Sequence, residues 1–322
     1  MSCCPIGTDV AHAAAVLRDG KLVAFATETV YGLGANALDE RAVAKVFEAK
    51  DRPRFDPLIL HVPSMDCIDD LVTEFPDAAR QLADCFWPGP LTLVLPKSET
   101  VPDLVTAGLG TVAIRIPDHP QALDLLQQAG VPVAAPSANP FGQVSPTTAA
   151  HVAEQLGERI DYILDGGPCR VGVESTVLQM AGDTPLLLRP GGLPAEDIEA
   201  IVGPVRIPDP AAHPSAQAQP APGMLPRHYA PRTPLTITRG PPPDTKCCGL
   251  MSLGPIEETV AARFAAVEVL SAAGDLTEAA ANFFAALRRL DAASVDRIFA
   301  SPFPEAGLGR AINDRLSRAA EK

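Results

Sequence analysis

Ala26-Thr27-Glu28-Thr29-Val30-Tyr31-Gly32-Leu33-Gly34, followed by Lys50-Asp51-Arg52-Pro53-Arg54-Phe55-Asp56-Pro57-Leu58-Ile59-Leu60-His61, is the stretch whose reading decides this chain. The apolar run Lys21–Ala26 predicts a strand that delivers threonine hydroxyls and a Gly-bounded turn. A basic triplet then leads into a second strand, Leu58–Val62, with His61 near its end. That order can gather phosphate-binding cations and hydrogen-bonding groups at one mouth.

Outward from this stretch, short strands alternate with helices. Helices are expected over Asp9–Asp19, from an N-cap at Asp39 to Ala49, and over Pro76–Cys85, His119–Ala129 and Thr147–Leu156. Strands are expected over Leu91–Leu95, Val112–Ile116, Val133–Ala135, Tyr162–Leu164, Ser175–Leu178 and Leu186–Leu188. The mixture argues an α/β (α+β-like) domain with a mixed sheet. Twelve of the 34 prolines then fall between Pro204 and Pro243, which reads as an interdomain linker. One run inside it, Gly223-Met224-Leu225-Pro226-Arg227-His228-Tyr229-Ala230-Pro231, is more than a spacer needs. Beyond it, helices over Asn282–Leu290 and Gly309–Ala319 flank a strand at Val295–Ala300, predicting a smaller α/β domain.

The totals bound the function. A chain of 322 residues suggests about two domains. A net charge of −13 argues against binding nucleic acid or anionic membrane through the overall field. An acidic body would still focus anions onto a local basic mouth. The seven cysteines include two adjacent pairs and no C-x-x-C, so neither a disulfide framework nor a zinc site is indicated. No apolar run reaches the ~18 residues of a membrane span, and no basic leader precedes an apolar one. A cytoplasmic, reduced protein is expected.

Each motif has a bland alternative. Gly32-Leu33-Gly34-Ala35-Asn36-Ala37 matches the G-x-G-x-x-A turn of dinucleotide-binding folds. Against that, the helix begins only after Asp39, and Lys50 and Arg52 stand where an acidic residue belongs. Pro53 disfavours helix at Arg52, so Lys50, Arg52 and Arg54 are expected on a stiff loop, either solvated or clamping a triphosphate. Arg115 sits among Val112-Ala113-Ile114 and Ile116 and is costly to bury without an anion. A ligand carboxylate and an internal acid are both candidates. Ser137-Ala138-Asn139, Glu174-Ser175-Thr176 and Leu188-Arg189-Pro190 place further polar groups at strand ends.

Taken in order, the Thr27–Leu33 block, the Lys50–Leu58 block, Pro136–Asn139 and Glu174–Val177 resemble the YrdC/Sua5 family of threonylcarbamoyl-AMP synthases. The Pro-rich linker and the run Ala311-Ile312-Asn313-Asp314-Arg315-Leu316 resemble its long, Sua5-type form. The resemblance implies a YrdC-like domain over residues 8–203, a linker and lid over 204–234, and a C-terminal Sua5 domain over 235–322. It implies a twisted sheet with flanking helices around a concave pocket. The implied reaction converts L-threonine, bicarbonate or CO2, and ATP with Mg2+ into threonylcarbamoyl-AMP and pyrophosphate. The product would serve t6A modification at position 37 of tRNA through a separate transferase.

By matching position, Thr29, His61, Arg115, Ala135 and Ser175 are expected around L-threonine. Lys50, Arg52, Asp56, Thr111, Ser137, Ser145, Arg189, His228 and Tyr229 are expected around ATP, with Lys50 and Arg52 neutralising the leaving pyrophosphate. Asp56 departs from the asparagine common at that position and sets a negative charge near a triphosphate. Two other classes compete: a non-catalytic YrdC-like RNA-binding or ribosome-associated protein, and an enzyme adenylating a different carbamoyl compound.

Overall fold

The computed structural model describes residues 4–180, 184–207, 228–240 and 245–320. The first domain is built on a ten-stranded mixed sheet. In chain order its strands are β1 (Ile6–Gly7), β2 (Val23–Phe25), β3 (Gly32–Asn36), β4 (Ile59–His61), β5 (Leu91–Pro96), β6 (Thr111–Arg115), β7 (Val133–Ala134), β8 (Tyr162–Leu164), β9 (Thr176–Gln179) and β10 (Leu186–Arg189). Across the sheet they run β1-β8-β2-β3-β7-β4-β6-β5-β9-β10.

The helices start where the sequence provides caps. Asp9 accepts a hydrogen bond from the backbone of His12 to open α1 (Val10–Arg18), and Asp39 accepts one from Arg41 to open α2 (Glu40–Lys50). Pro120 begins α5 (Pro120–Ala129) at a position that needs no N–H donor, and Gly130, with φ +67, ends it. The remaining helices of the domain are α3 (Asp77–Phe86), α4 (Asp103–Thr106), α6 (Ala149–Leu156) and α7 (Ala195–Val202).

Alternation along the strands divides the core. Val23 and Phe25 of β2 face α1 and α5, while Ala24 joins the larger cluster with Leu33, Leu60 and Ile114 on the other face. Toward β4, β6 and β9 the first of these faces gives way to a small cluster containing Ile59, Ala113 and Val177. Period two then carries His61, Arg115 and Ser175 onto the side of the sheet that Ile59, Ala113 and Val177 occupy.

One expectation is corrected here. Gly32–Asn36 is not a phosphate-binding turn but strand β3, antiparallel to β2 with Gly34 opposite Val23. A Cβ on Gly34 would lie 2.9 Å from both Phe25 and Val133. The glycine makes room for neighbouring side chains, and the dinucleotide reading falls. Strands β1 and β3 and helices α4 and α7 lay outside the sequence-based expectation.

The C-terminal domain is a four-stranded parallel sheet in the order β11-β14-β12-β13. Its strands are β11 (Leu235–Ile237), β12 (Cys248–Ser252), β13 (Ala266–Val269) and β14 (Arg297–Ala300). The short α8 (Glu258–Ala261) precedes β13, and the long α9 (Leu276–Ala292) and α10 (Leu308–Ala320) complete the domain. Phe283, Phe284 and Leu287 of α9 are fully buried, as are Ile298 of β14 and Ile312 of α10. This core continues into the first domain through Val30, Val144 and Val173, with Tyr229 joining it from the linker. Of the expected linker, residues 208–227 lie outside the described residues, including the Gly223–Arg227 part of the unusual run. Among the described residues no helix is long and apolar enough to cross a membrane.

Candidate active site

Arg115 ends β6 and pairs in register with His61 at the end of β4. Arg115 is 3% exposed, and each nitrogen of its guanidinium has a partner. Nε donates to Gly89 O at 3.2 Å, Nη1 donates to Thr29 Oγ1 at 2.9 Å, and Nη2 lies 2.5 Å from Glu28 Oε1. The internal acid that burial demands is therefore Glu28, from the loop between β2 and β3. Burial, with Arg115 beside it, pushes His61 down to about 3, so its ring is neutral at physiological pH.

The basic triplet divides. Lys50 is the last residue of α2 rather than part of a loop, and it is 1% exposed. Its Nζ donates to Ser137 O at 2.5 Å and to Asn139 O. Arg52 turns inward and meets Asp56 at 2.8 Å, while its Nη2 donates to Pro57 O at 2.8 Å. Arg54 is exposed and points away, because Asp51 takes a left-handed conformation (φ 52) and Pro53 redirects the chain. Burial lowers the pKa of Lys50 well below its ordinary value, and Arg52 adds to the effect. Burial likewise lowers Arg52 and raises Asp56. Asp56 serves as the counter-ion of Arg52.

These groups meet at one cavity. Its lining includes Thr29, Arg52, His61, Arg115, Ala135, Ser137, Ser175, Arg189, His228 and Tyr229, all expected from the sequence. Arg52 and Arg115, from separate elements, thus share a wall-to-wall space. Thr27, Val30, Gly32, Ile59, Pro136 and Glu174 line it as well and were not assigned a place beforehand. Lys50, Asp56 and Ser145 stand behind the lining: Ser145 donates to Glu174 Oε1 at 2.5 Å. Thr111 is the outlier, at the opposite end of β6 from Arg115 and paired with Pro96.

The linker enters the lining through His228 and Tyr229, and the C-terminal domain packs behind it. His228 stacks edge-on against Phe141 and Tyr229, with centroids 5.7 Å and 4.1 Å away. Burial, and the nearby Arg52, Lys50 and Arg189, push the His228 pKa well down. Burial raises Tyr229 to about 12, with Glu174 contributing in the same direction. Arg315 of α10, wholly buried, reaches Glu174 at 3.0 Å and lies 5.4 Å from the centre of the Tyr229 ring. Its guanidinium also donates to Pro190 O. The sequence marks this arginine only within the Ala311–Leu316 run; its role at Glu174 is not legible there, because that partner is 141 residues away.

A family model described as "Telomere recombination" matches residues 15–191, and one described as "Threonylcarbamoyl-AMP synthase, C-terminal domain" matches 193–321. The threonylcarbamoyl-AMP synthase of Pyrococcus abyssi is 47% identical, the match covering 95% of this chain and 92% of the relative. The chain belongs to the threonylcarbamoyl-AMP synthase family. That of Bacillus subtilis is 46% identical, over 97% of this chain and 92% of the relative. A crystal structure of P. abyssi Sua5 complexed with L-threonine superposes with a TM-score of 0.90 at 44% identity, covering 99% of this chain and 98% of that one. The family consists of ATP-using nucleotidyltransferases, and this chain is an enzyme of the long, two-domain Sua5 type.

Proposed function

We propose that this cavity joins L-threonine, CO2 and ATP into threonylcarbamoyl-AMP, with threonine at the Arg115 end and the triphosphate at the Lys50–Arg52 end. One observation carries the reading: Arg115 and Arg52 line the same cavity. Thr29, His61, Ala135 and Ser175 surround the amino acid in this reading. Arg52, Ser137, Arg189, His228 and Tyr229 surround the nucleotide, with Lys50 reaching it from behind Ser137. Asp56 and Ser145 act through Arg52 and Glu174. ATP enters as its Mg2+ complex, for which no protein ligand is assigned.

The chemistry needs no enzyme nucleophile. Threonine's amine, after losing a proton, attacks CO2 and forms a carbamate. A carbamate oxygen attacks the α-phosphorus of ATP, and the bond to pyrophosphate breaks. The fixed cations position the reactants and balance the charge that develops on the leaving group. A neutral His61 binds and orients rather than carrying charge. His228 and Tyr229 line the cavity, so the linker acts as a lid that shields the labile carbamate from water once closed.

The adenylate so formed would supply a separate transferase acting on tRNA in the cytoplasm. The test is direct. Purified protein with Mg2+, ATP, bicarbonate and labelled threonine should release pyrophosphate and yield the labelled adenylate. Arg52→Ala should raise the KM for ATP and Arg115→Ala the KM for threonine, each at least tenfold. Pyrophosphate release that proceeds equally well without threonine would sink the assignment.

A further inference from the structure

The loop between β2 and β3 does more than contribute Thr29 to the cavity. Glu28 is 1% exposed and absent from the cavity lining, yet it holds Arg115, which does line it. Among the described residues its carboxylate oxygens meet no hydrogen-bond donor apart from that ion pair. Its own backbone is pinned, because Val171 N donates to Glu28 O at 2.7 Å. Glu28 therefore supports Arg115 from behind, on the side away from the ligand space.

Thr27 completes the arrangement. Its hydroxyl donates to Val30 O at 2.6 Å. A hydroxyl has one proton, so in the 2.8 Å contact between Thr27 and Thr29 the Thr29 hydroxyl is the donor. Thr29 Oγ1 also accepts from Arg115 Nη1. Its proton is spent, and a lone pair is left. On Arg115, Nε and one N–H of Nη1 donate to Gly89 and Thr29, while Nη2 faces Glu28 as an ion pair without hydrogen-bond geometry, so N–H groups remain on both terminal nitrogens.

We propose that Glu28 and Thr27 are positioning residues that fix the polarity of the amino-acid site before substrate arrives. Guanidinium N–H groups on both terminal nitrogens are held free for a carboxylate. The Thr29 oxygen is left able only to accept, and so suits an ammonium or hydroxyl of the ligand. A zwitterionic hydroxy-amino acid satisfies both; a ligand lacking the carboxylate leaves the guanidinium unmatched. The inference rests on the reading of Arg115 as the carboxylate site.

Calorimetric titration of the full chain with L-threonine, without ATP, tests it. The expected result for Glu28→Gln is a threonine Kd at least tenfold weaker, with the KM for ATP at saturating threonine changed less than twofold. The preference for threonine over threoninol, which lacks the carboxylate, should also shrink by at least tenfold, an effect that general loosening of the fold does not produce. Thr27→Val should weaken threonine several-fold and Thr27→Ser should restore it. If Glu28→Gln fails to fold by circular dichroism, the Thr27 pair decides: a wild-type Kd in Thr27→Val overturns the proposal. A folded Glu28→Gln that binds threonine as tightly as wild type, or more tightly, overturns it too, since Glu28 would then be inert or a competitor for Arg115. Wild-type protein that binds no threonine overturns instead the reading of the site on which this one depends.

Discussion

His61 and Lys50 show how burial sets the charge of single groups in this site. An exposed histidine titrates near 6.5, whereas His61 is pushed down to about 3, first by burial and then by Arg115. Below pH 6.5 the unfolded chain takes up a proton that the native state refuses. His61 therefore withdraws stability as pH falls from 6.5 toward about 3, by at most about 1.4 kcal/mol per pH unit. Urea midpoints at pH 7, 6 and 5 should fall less steeply for His61→Gln than for wild type; parallel slopes would refute the buried neutral ring. Lys50 titrates in the opposite sense to its ligand. Its depressed pKa means the ammonium is hard to keep, and a triphosphate restores it. ATP binding should take up a proton increasingly as pH rises through that depressed value, seen calorimetrically in buffers of different ionisation enthalpy. Lys50→Met should remove both the uptake and most of the affinity.

At the level of elements, the glycines of β3 decide whether β2, β3 and β7 can pack. Phe25 and Val133 close over Gly34 from neighbouring strands, and an added methyl has no space. Gly34→Ala should destabilise by about 1–3 kcal/mol through overpacking, read from denaturant midpoints. Gly110 is a fair control: a Cβ there meets nothing within 4 Å, and Gly110→Ala should stay within about 0.5 kcal/mol of wild type. The misreading of Gly32–Asn36 as a turn has the same origin. Glycine spacing alone does not distinguish a phosphate loop from a strand whose neighbours need the room. The helices were easier, because Asp9, Asp39 and Gly130 announce their ends through local hydrogen bonds and φ preferences.

Across the whole molecule, the C-terminal domain backs residues that line the site. Arg315 pairs with Glu174, which in turn accepts from Ser145, and the guanidinium lies over Tyr229. Despite burial, which disfavours charge, Tyr229, Glu174 and Asp314 raise the pKa of Arg315 and keep it ionised. Removing one partner of such a pair strands the other in low dielectric. Arg315→Met should cost about 3–5 kcal/mol and slow turnover at the distant cavity. In a double-mutant cycle, Arg315→Met with Glu174→Gln should be less damaging than the sum of the single changes by about 0.5–3 kcal/mol; strict additivity would show that the pair does not couple the domains. Gly172 marks the same seam, where its backbone approaches α9 too closely for any side chain.

What the sequence determined by itself was local or pairwise in pattern: the cap-bounded helices, the alternating strands, the Pro-rich break, and the motif order that placed Arg52, His61, Arg115, Ser137 and Arg189 in one site. It also carried the demand for an anion beside Arg115, since a buried guanidinium must meet one, but left open whether a ligand carboxylate or an internal acid supplies it. Only the tertiary structure decided that Glu28 answers that demand, that Arg54 faces solvent while Arg52 faces the cavity, that Asp56 neutralises Arg52, and that Arg315 braces Glu174 from behind the cavity. Each of these depends on which side of a strand or turn a residue faces, or on a partner far away in the chain. Such facing and pairing follow from the burial of the whole core, which no short run of residues can encode.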